Sequence, residues 1–512
     1  MRRATGSLFT TIALDPSSAV PLYRQLYDEL RTIILSGQLR AGARLPSTRT
    51  LAGELGIARS TVVTAFEQLL AEGYLDGRSR GGTYVAPALP DELLHATARG
   101  DHAPAPETGR PPLSRRGAAM VAALETRQTW PVASDGGRLR PEVPLAFDSV
   151  LPALDAFPYE VWQRLMTRRW RQSGPELLRH WSGTGYQPLR EAIAAYLGGT
   201  RGVRCLPEQV IVIGDGRQAL DLAARVLLDP GDAAWIEDPG YLVPSTILPS
   251  AGVRVVPVPV DAHGLDVEAG MARCATARLA VVTLAPQWPL GMIVPLARRL
   301  ALLQWAGQAD AWVFENDNDN QYPYIGQPVA ALQGLDKDGR VIYYGDFINV
   351  LCAALSLGYL VVPAALVDAF AAAQFTRGVY ASILVQAVLA DFMAEGSFAR
   401  HLRRVRRLYA ARQAALLDEA RGELAGLLEV QPVEAGPYVI GWLPEGVDDG
   451  DVARQAARHD VTVLPLSAYG VEPLARGGLL LGYAAVETQE MPAAVRRLAA
   501  AIREAMRHRN VP

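Results

Sequence analysis

At 512 residues the chain is too long for one hydrophobic core, so two or three domains are expected. Half of it is apolar, a fifth is charged and the net charge is −3, an ordinary balance for a soluble globular protein, and no apolar run is long enough to cross a bilayer. Three separated cysteines (Cys205, Cys274, Cys352) make neither a disulfide framework nor a zinc site. The seven histidines lack ligand spacing, so no metal is expected and a reducing cytoplasm is the default.

The charge is unevenly spread. Residues 1–88 hold ten Arg against seven Asp and Glu, whereas the remainder holds 40 basic against 46 acidic residues. A mildly basic head on an acidic body points toward nucleic acid. The basic residues comprise 49 Arg and a single Lys, Lys337, a bias that a GC-rich genome could produce by itself. The first residues carry two arginines but no sustained apolar region, and read as a leader into the first domain, not a signal peptide.

In chain order, PLYRQLYDELRTIILSG (21–37) sets Leu22, Leu26, Leu30, Ile33 and Ile34 at helical spacing. A second helix follows Pro46-Ser47, with Leu51 and Leu55 inward and Gly56 as its stop. The third, ARSTVVTAFEQLLAEG, has Val62, Val63, Phe66, Leu69 and Leu70 as its buried stripe and Arg59, Ser60, Thr61, Thr64 and Gln68 on the opposite face. Two short strands around a Gly/Arg-rich turn complete a winged helix-turn-helix. Arg59, Ser60, Thr61 and Thr64 open the second helix of the pair, the part that meets base edges. Arg49, Arg78 and Arg80 suit phosphates, and Gly81-Gly82 admit the wing backbone close to a duplex. A merely solvated polar face would look the same.

The run PSTRTLAGELGIARSTVVTAFEQLLAEGYL resembles the GntR-type winged helix-turn-helix over about 65 residues. That resemblance implies binding to double-stranded operator DNA through Arg49, Arg59, Ser60, Thr61, Thr64, Arg78, Arg80, Gly82 and Thr83. The wing departs from the usual R-x-G-x-G-T, reading Arg78-Ser79-Arg80-Gly81-Gly82-Thr83. The added arginine suits minor-groove or phosphate contact.

Residues 89–113 are rich in proline and poor in large apolar residues, and read as a linker between the head (1–88) and the body. Beyond it, apolar β runs alternate with helical patterns: 210–214, 233–238, 253–258, 279–285, 311–317, 340–346 and 358–363. That alternation predicts a mostly parallel seven-stranded sheet covered on both faces, in an α/β large domain over 114–375. After it the pattern changes to a long Arg-rich helix, three short strands and a closing helix, a smaller α+β domain over 376–512.

The body is similar to the fold-type I aminotransferases on LAFDSVLPALDAFPYEVWQRL, YQPLREAIAAYLGGTRGVRC, QVIVIGDGRQALDLAARVLLDPGD and IEDPGYLVP. With the head, the chain resembles the MocR-type regulators, which implies a pyridoxal-phosphate site, a small effector and a head-to-tail homodimer. Carried over residue by residue, the resemblance puts Asn349 where the Schiff-base lysine belongs and Ser356 where an arginine would hold the cofactor phosphate. Asn316 replaces the carboxylate that pairs with the pyridine nitrogen, Asn318 the ring-side tyrosine, and Leu480 the substrate-binding arginine. The H-Q-F-P-T-G turn reads Pro286-Gln287-Trp288-Pro289-Leu290-Gly291.

An amide nitrogen is not a usable nucleophile, and neutral side chains replace neither a carboxylate at a pyridinium nor a guanidinium at a phosphate. Lys337 lies in a polar turn before its strand, about 20 Å from the residues that follow that strand. Cys352, between apolar neighbours, reads as packing. No catalytic residue and no covalent pyridoxal phosphate are therefore expected, which leaves noncovalent binding open. Gly216, Gln218, Tyr241, Gln287, Asn316, Asn318, Asn349 and Ser356 would form a degenerate cofactor pocket for a small polar effector, with the Gly214–Gly216 turn opening a helix that could receive an anion. The expectation is a cytoplasmic DNA-binding regulator with a pseudo-enzyme sensor. The alternatives are a working aminotransferase with a DNA-binding appendage, or a regulator controlled by a protein partner with an empty cleft.

Overall fold

The computed structural model describes chiefly residues 20–78, 82–87, 151–179, 183–317 and 329–509, with a few shorter stretches between. Most of the expected linker, together with Arg80, Asn318 and the side chain of Arg78, lies outside the described residues. The chain divides into two units, Met1–Pro111 and Pro112–Pro512.

The first unit contains α1 (Leu22–Leu35), α2 (Thr48–Leu55) and α3 (Arg59–Ala71), then β1 (Leu75–Arg78) paired antiparallel with β2 (Gly82–Val85). Ser47 caps α2 by accepting from the Thr50 N–H at 3.1 Å, and Gly56 closes it in the left-handed region (φ 65°) that an L side chain resists. Leu26, Leu30, Leu51, Val62, Phe66 and Leu69 are buried together, each worth roughly 1.5–3 kcal/mol relative to exposure. The α3 stripe differs from expectation at three places: Ala65 is buried, Val63 is half-buried and Leu70 is exposed. Leu70 falls at the helix's last turn, where the stripe has already rotated away from α1.

In the second unit all seven expected strands form: β3 (Val210–Ile213), β4 (Ala233–Asp238), β5 (Arg254–Asp261), β7 (Leu279–Thr283), β8 (Trp312–Asn316), β9 (Val341–Asp346) and β10 (Gly358–Val361). An eighth, β6 (Gly264–Leu265), extends the edge, giving the order β3-β10-β9-β8-β7-β4-β5-β6. The pairs among β5, β4, β7, β8 and β9 are parallel, while β10 runs antiparallel to both neighbours and β6 antiparallel to β5. Alternation along each strand feeds two faces. Ile213, Ile236, Phe314, Ile342 and Tyr344 pack toward the helix Gly216–Leu227, and Val212, Tyr343, Tyr359 and Val361 toward the opposite core.

The C-terminal part carries a four-stranded antiparallel sheet, β11 (Glu429–Val430), β12 (Tyr438–Trp442), β13 (Leu464–Pro465) and β14 (Gly478–Gly482), ordered β11-β12-β14-β13. β11 is the strand the sequence pattern did not show, since two residues carry no periodicity.

Candidate functional site

In the head, Arg59, Ser60 and Thr64 at the start of α3 are exposed and Thr61 is half-buried. Arg59 Nε reaches Thr48 Oγ1 at 3.4 Å, which brings it beside the start of α2, where Arg49 is also exposed. Thr64 donates its hydroxyl to the Ser60 carbonyl at 3.0 Å. An exposed polar helix start beside an arginine on the preceding helix is the arrangement that reads base edges and grips the backbone. In the wing, Gly82 is exposed with φ 103° and Thr83 is half-buried. A Cβ at Gly82 would stand 3.0 Å from Arg44 Nε, so the glycine makes room for an arginine that the sequence reading passed over. Arg44 lies outside any helix, and only its bridge to Tyr84 on β2 brings it to the wing.

In the body, the residues singled out from the sequence follow strand ends. β3 runs into Gly214–Gly216, β4 into Pro239–Tyr241, β7 into Gln287, β8 ends on Asn316, β9 leads to Asn349, and Ser356 precedes the antiparallel β10. The directions of those strands bring all of them to one edge of the sheet, the carboxyl edge where ligands of open α/β sheets bind. Lys337 is exposed in the turn before β9 and therefore sits at the opposite edge.

The amides at the carboxyl edge are held differently. Gln218 accepts from the Gly214 N–H at 2.7 Å and donates to the Val379 carbonyl at 3.0 Å. Gln287, fully buried, donates to the Pro239 and Trp288 carbonyls and accepts from the Leu290 N–H. Both therefore brace backbone. Asn316 is buried with its Oδ1 unpartnered. The carboxylates beside it are engaged elsewhere. Asp317 forms a buried ion pair with Arg201 and accepts from Tyr343 at 2.6 Å, and Glu315 accepts from the Leu332 and Gln333 N–H groups. Burial, with Asp317 nearby, lifts Glu315 to about 7.

Asn349 is half-buried. Its segment is positioned by Asp346, which accepts from the Tyr344 hydroxyl at 2.6 Å and from the Ile348 N–H at 3.0 Å; burial lifts that carboxyl to about 6. The Tyr344 ring lies against Gly216, where a Cβ would come within 3.0–3.1 Å of it. The helix that opens there is already capped by an acid: Asp215 accepts from the Gln218 N–H at 3.0 Å and pairs with Arg217 at 2.5 Å. A carboxylate at a helix N-terminus satisfies the N–H groups and the dipole that would otherwise attract an anion. The sequence reading missed Asp215, although an Asp just before an apolar-periodic run is an N-cap signal.

Gly214, Gln218 and Ser356 line a cavity of about 810 Å³ together with Asp215, Arg217 and Arg377; Tyr241, Gln287, Asn316 and Asn349 do not line it. Ser356 is exposed in a left-handed conformation (φ 46°), its hydroxyl 3.5 Å from the Ala353 carbonyl. Leu480, in β14, is buried among Tyr438, Leu464, Leu466 and Tyr469. Trp288 meets Tyr438 edge-on at 4.5 Å and Tyr469 at 5.7 Å. This aromatic cluster joins the turn after β7 to the region of the C-terminal four-stranded sheet, and two bonds reinforce the junction: Asp238 accepts from the Val471 N–H at 2.7 Å, and the Gly240 N–H donates to the Tyr469 carbonyl at 3.0 Å.

Comparison with known proteins accords with both units. Residues 22–85 match the family of bacterial regulatory proteins of the gntR family, and residues 155–498 match aminotransferase class I and II. The chain is 42% identical over 490 residues, covering 96% of itself and 95% of its relative, to a probable rhizopine catabolism regulatory protein, MocR, of Rhizobium meliloti. It is 30% identical to the HTH-type transcriptional regulator TauR of Rhodobacter capsulatus, covering 96% and 98% of the two chains. Among solved structures, the α-aminoadipate aminotransferase LysN of Thermus thermophilus aligns with a TM-score of 0.65 at 26% identity, over 71% of this chain and 93% of that one. A multiple substrate aminotransferase of Thermococcus profundus aligns with a TM-score of 0.67 at 23% identity, over 77% and 98%, a likeness of fold alone.

Proposed function

Because the chain belongs to the MocR-type transcriptional regulators, DNA-binding proteins with a GntR-type head and an aminotransferase-like body, we propose that its body is a pseudo-enzyme that senses an effector noncovalently and joins two copies head to tail. The observation that carries this reading is the placement of the one lysine. Lys337 is exposed at the amino end of β9, and Asn349 follows the carboxyl end, where a Schiff-base lysine would stand. Pyridoxal phosphate does not fit the residues present. Asp215 presents a carboxylate at the helix start that would face the phosphate, Ser356 offers no cation, and Asn316 brings an unpartnered amide oxygen where a carboxylate is needed.

The effector is a small uncharged or zwitterionic polar molecule. A buried acceptor without a donor, as at Asn316 Oδ1, is costly, and a ligand N–H or O–H would relieve that cost. The place of work is the cytoplasm, which suits three free cysteines and the absence, among the described residues, of any helix long and apolar enough to cross a membrane.

Absorbance spectroscopy of the purified regulator mixed with pyridoxal phosphate tests the reading. No visible Schiff-base band should develop, borohydride should fix no adduct, and Lys337→Ala should be indistinguishable from the parent. A borohydride-fixed adduct on Lys337 would sink the proposal.

A further inference from the structure

The long helix Ser397–Glu423 carries a feature that neither the fold nor the sensor cleft uses. Its inner face is mostly apolar: Phe398, Leu402, Val405, Tyr409 and Leu416 are buried, and the polar groups buried with them are engaged, His401 with the Val350 carbonyl at 2.7 Å and Arg412 with Asp155. Its outer face begins with Arg400, Arg403, Arg404 and Arg407, all exposed and spaced i, i+3, i+4 and i+7, so they form one row. From residue 396 to 417 there is no Asp or Glu. Among the described residues, none of Arg403, Arg404 and Arg407 has an ion-pair partner. Other exposed arginines of the body divide: Arg217, Arg421 and Arg454 reach a carboxylate, while Arg171, Arg204 and Arg496 reach none among the described residues, so what sets the row apart is its regular spacing on one helix face in a stretch without acids.

Helix electrostatics does not account for the row. Like charges at i,i+3 and i,i+4 cost roughly 0.2–0.5 kcal/mol per pair, and cations belong near the C-terminus of the dipole. Here the first turn carries Arg400 and no acid, and the like charges continue inward through Arg407, whereas at the far end Arg421 already pairs with Asp418. An arrangement that weakens its own helix, on an otherwise acidic body, calls for an anionic partner outside the fold.

We propose that this row binds the phosphates of duplex DNA flanking the segment read by the head. Guanidinium groups suit phosphate oxygens, and the seven-residue span of the row, about 10 Å along the axis, matches about three phosphates of one strand. Because the head on the same chain already holds the duplex, this second contact is intramolecular and gains from effective concentration. The inference rests on the DNA-binding reading of the head.

The test uses the full-length regulator and nested duplexes cut from the DNA upstream of its own gene, with affinity measured across a salt series. The parent should bind long duplexes more tightly, and with a steeper salt dependence, than the shortest duplex it recognises. Arg403→Gln/Arg404→Gln/Arg407→Gln should lower affinity for long duplexes on the order of tenfold and reduce the salt slope by about 2–3, at about 0.9 for each phosphate left unneutralised. Binding to the shortest duplex should not change. The triple Lys variant should keep most of the length-dependent gain, and single Arg403→Gln and Arg407→Gln variants should each reduce the slope by about 0.9 should the triple Gln variant fold poorly. Unchanged binding at every length, as for a row that meets an acidic protein instead, overturns the proposal, and so does an equal loss at every length. If the parent fails to bind even the longest duplex, it is the reading of the head that falls.

Discussion

In the head, the candidate polar residues Arg59, Ser60 and Thr64 stand exposed along the first turns of one helix, with Thr61 half-buried among them. In the body, the corresponding residues are drawn from separate strand ends between Gly214 and Ser356, and several finish buried. The two regions therefore tolerate change differently. A reading face fails when a surface side chain is lost, because the partner supplies the other half of each bond. Side chains at strand ends can be taken up by backbone instead of facing a ligand, and Gln218 and Gln287 both bond backbone groups. The second region can exchange side chains at its edge without losing its fold, because the sheet core does not depend on them.

The largest expected effect breaks the head. Arg49→Ala/Arg59→Ala should lower affinity for the upstream DNA on the order of a hundredfold, since a good base or phosphate contact carries about 1–3 kcal/mol. An electrophoretic or fluorescence titration that finds the affinity unchanged would remove the helix start from the interface.

An intermediate effect probes the body's edge. Gly216→Ala places a methyl 3.0–3.1 Å from the buried Tyr344 ring, which is held by its bond to Asp346. Overpacking there should cost about 1–3 kcal/mol and lower Tm. A Tm equal to that of the parent would mean that Tyr344 can move aside, and that this corner of the cleft has room to spare.

The smallest effect concerns Glu237, whose Oε2 accepts from the Thr283 N–H and hydroxyl while Oε1 is buried without a partner. Burial pushes this carboxyl up from 4.5 to about 8, so the fold favours the neutral form. Its contribution is complete below about pH 4.5 and is lost as pH rises toward 8. Glu237→Gln should flatten the decline of Tm between pH 5 and pH 8 and should leave Tm at pH 5 nearly unchanged. A parallel decline in both proteins would show that other buried acids, such as Asp346 and Glu315, set the pH dependence.

The sequence by itself determined the three helices and wing of the head and the seven long strands of the body, because apolar periodicity and short motifs are local properties. It also placed Lys337 and Asn349 at opposite ends of one strand, since a strand has a direction and a length. Only the tertiary structure decided which polar groups are already engaged. Gln218 meets Val379, Asp317 meets Arg201, and Leu480 enters a cluster with Tyr438 and Tyr469, across separations that no local pattern reports. Asp215 as a cap, Arg44 at the wing and the unpartnered oxygen of Asn316 emerged in the same way. Hydrogen bonds and ion pairs are satisfied in three dimensions, by whichever donor the fold brings within about 3 Å.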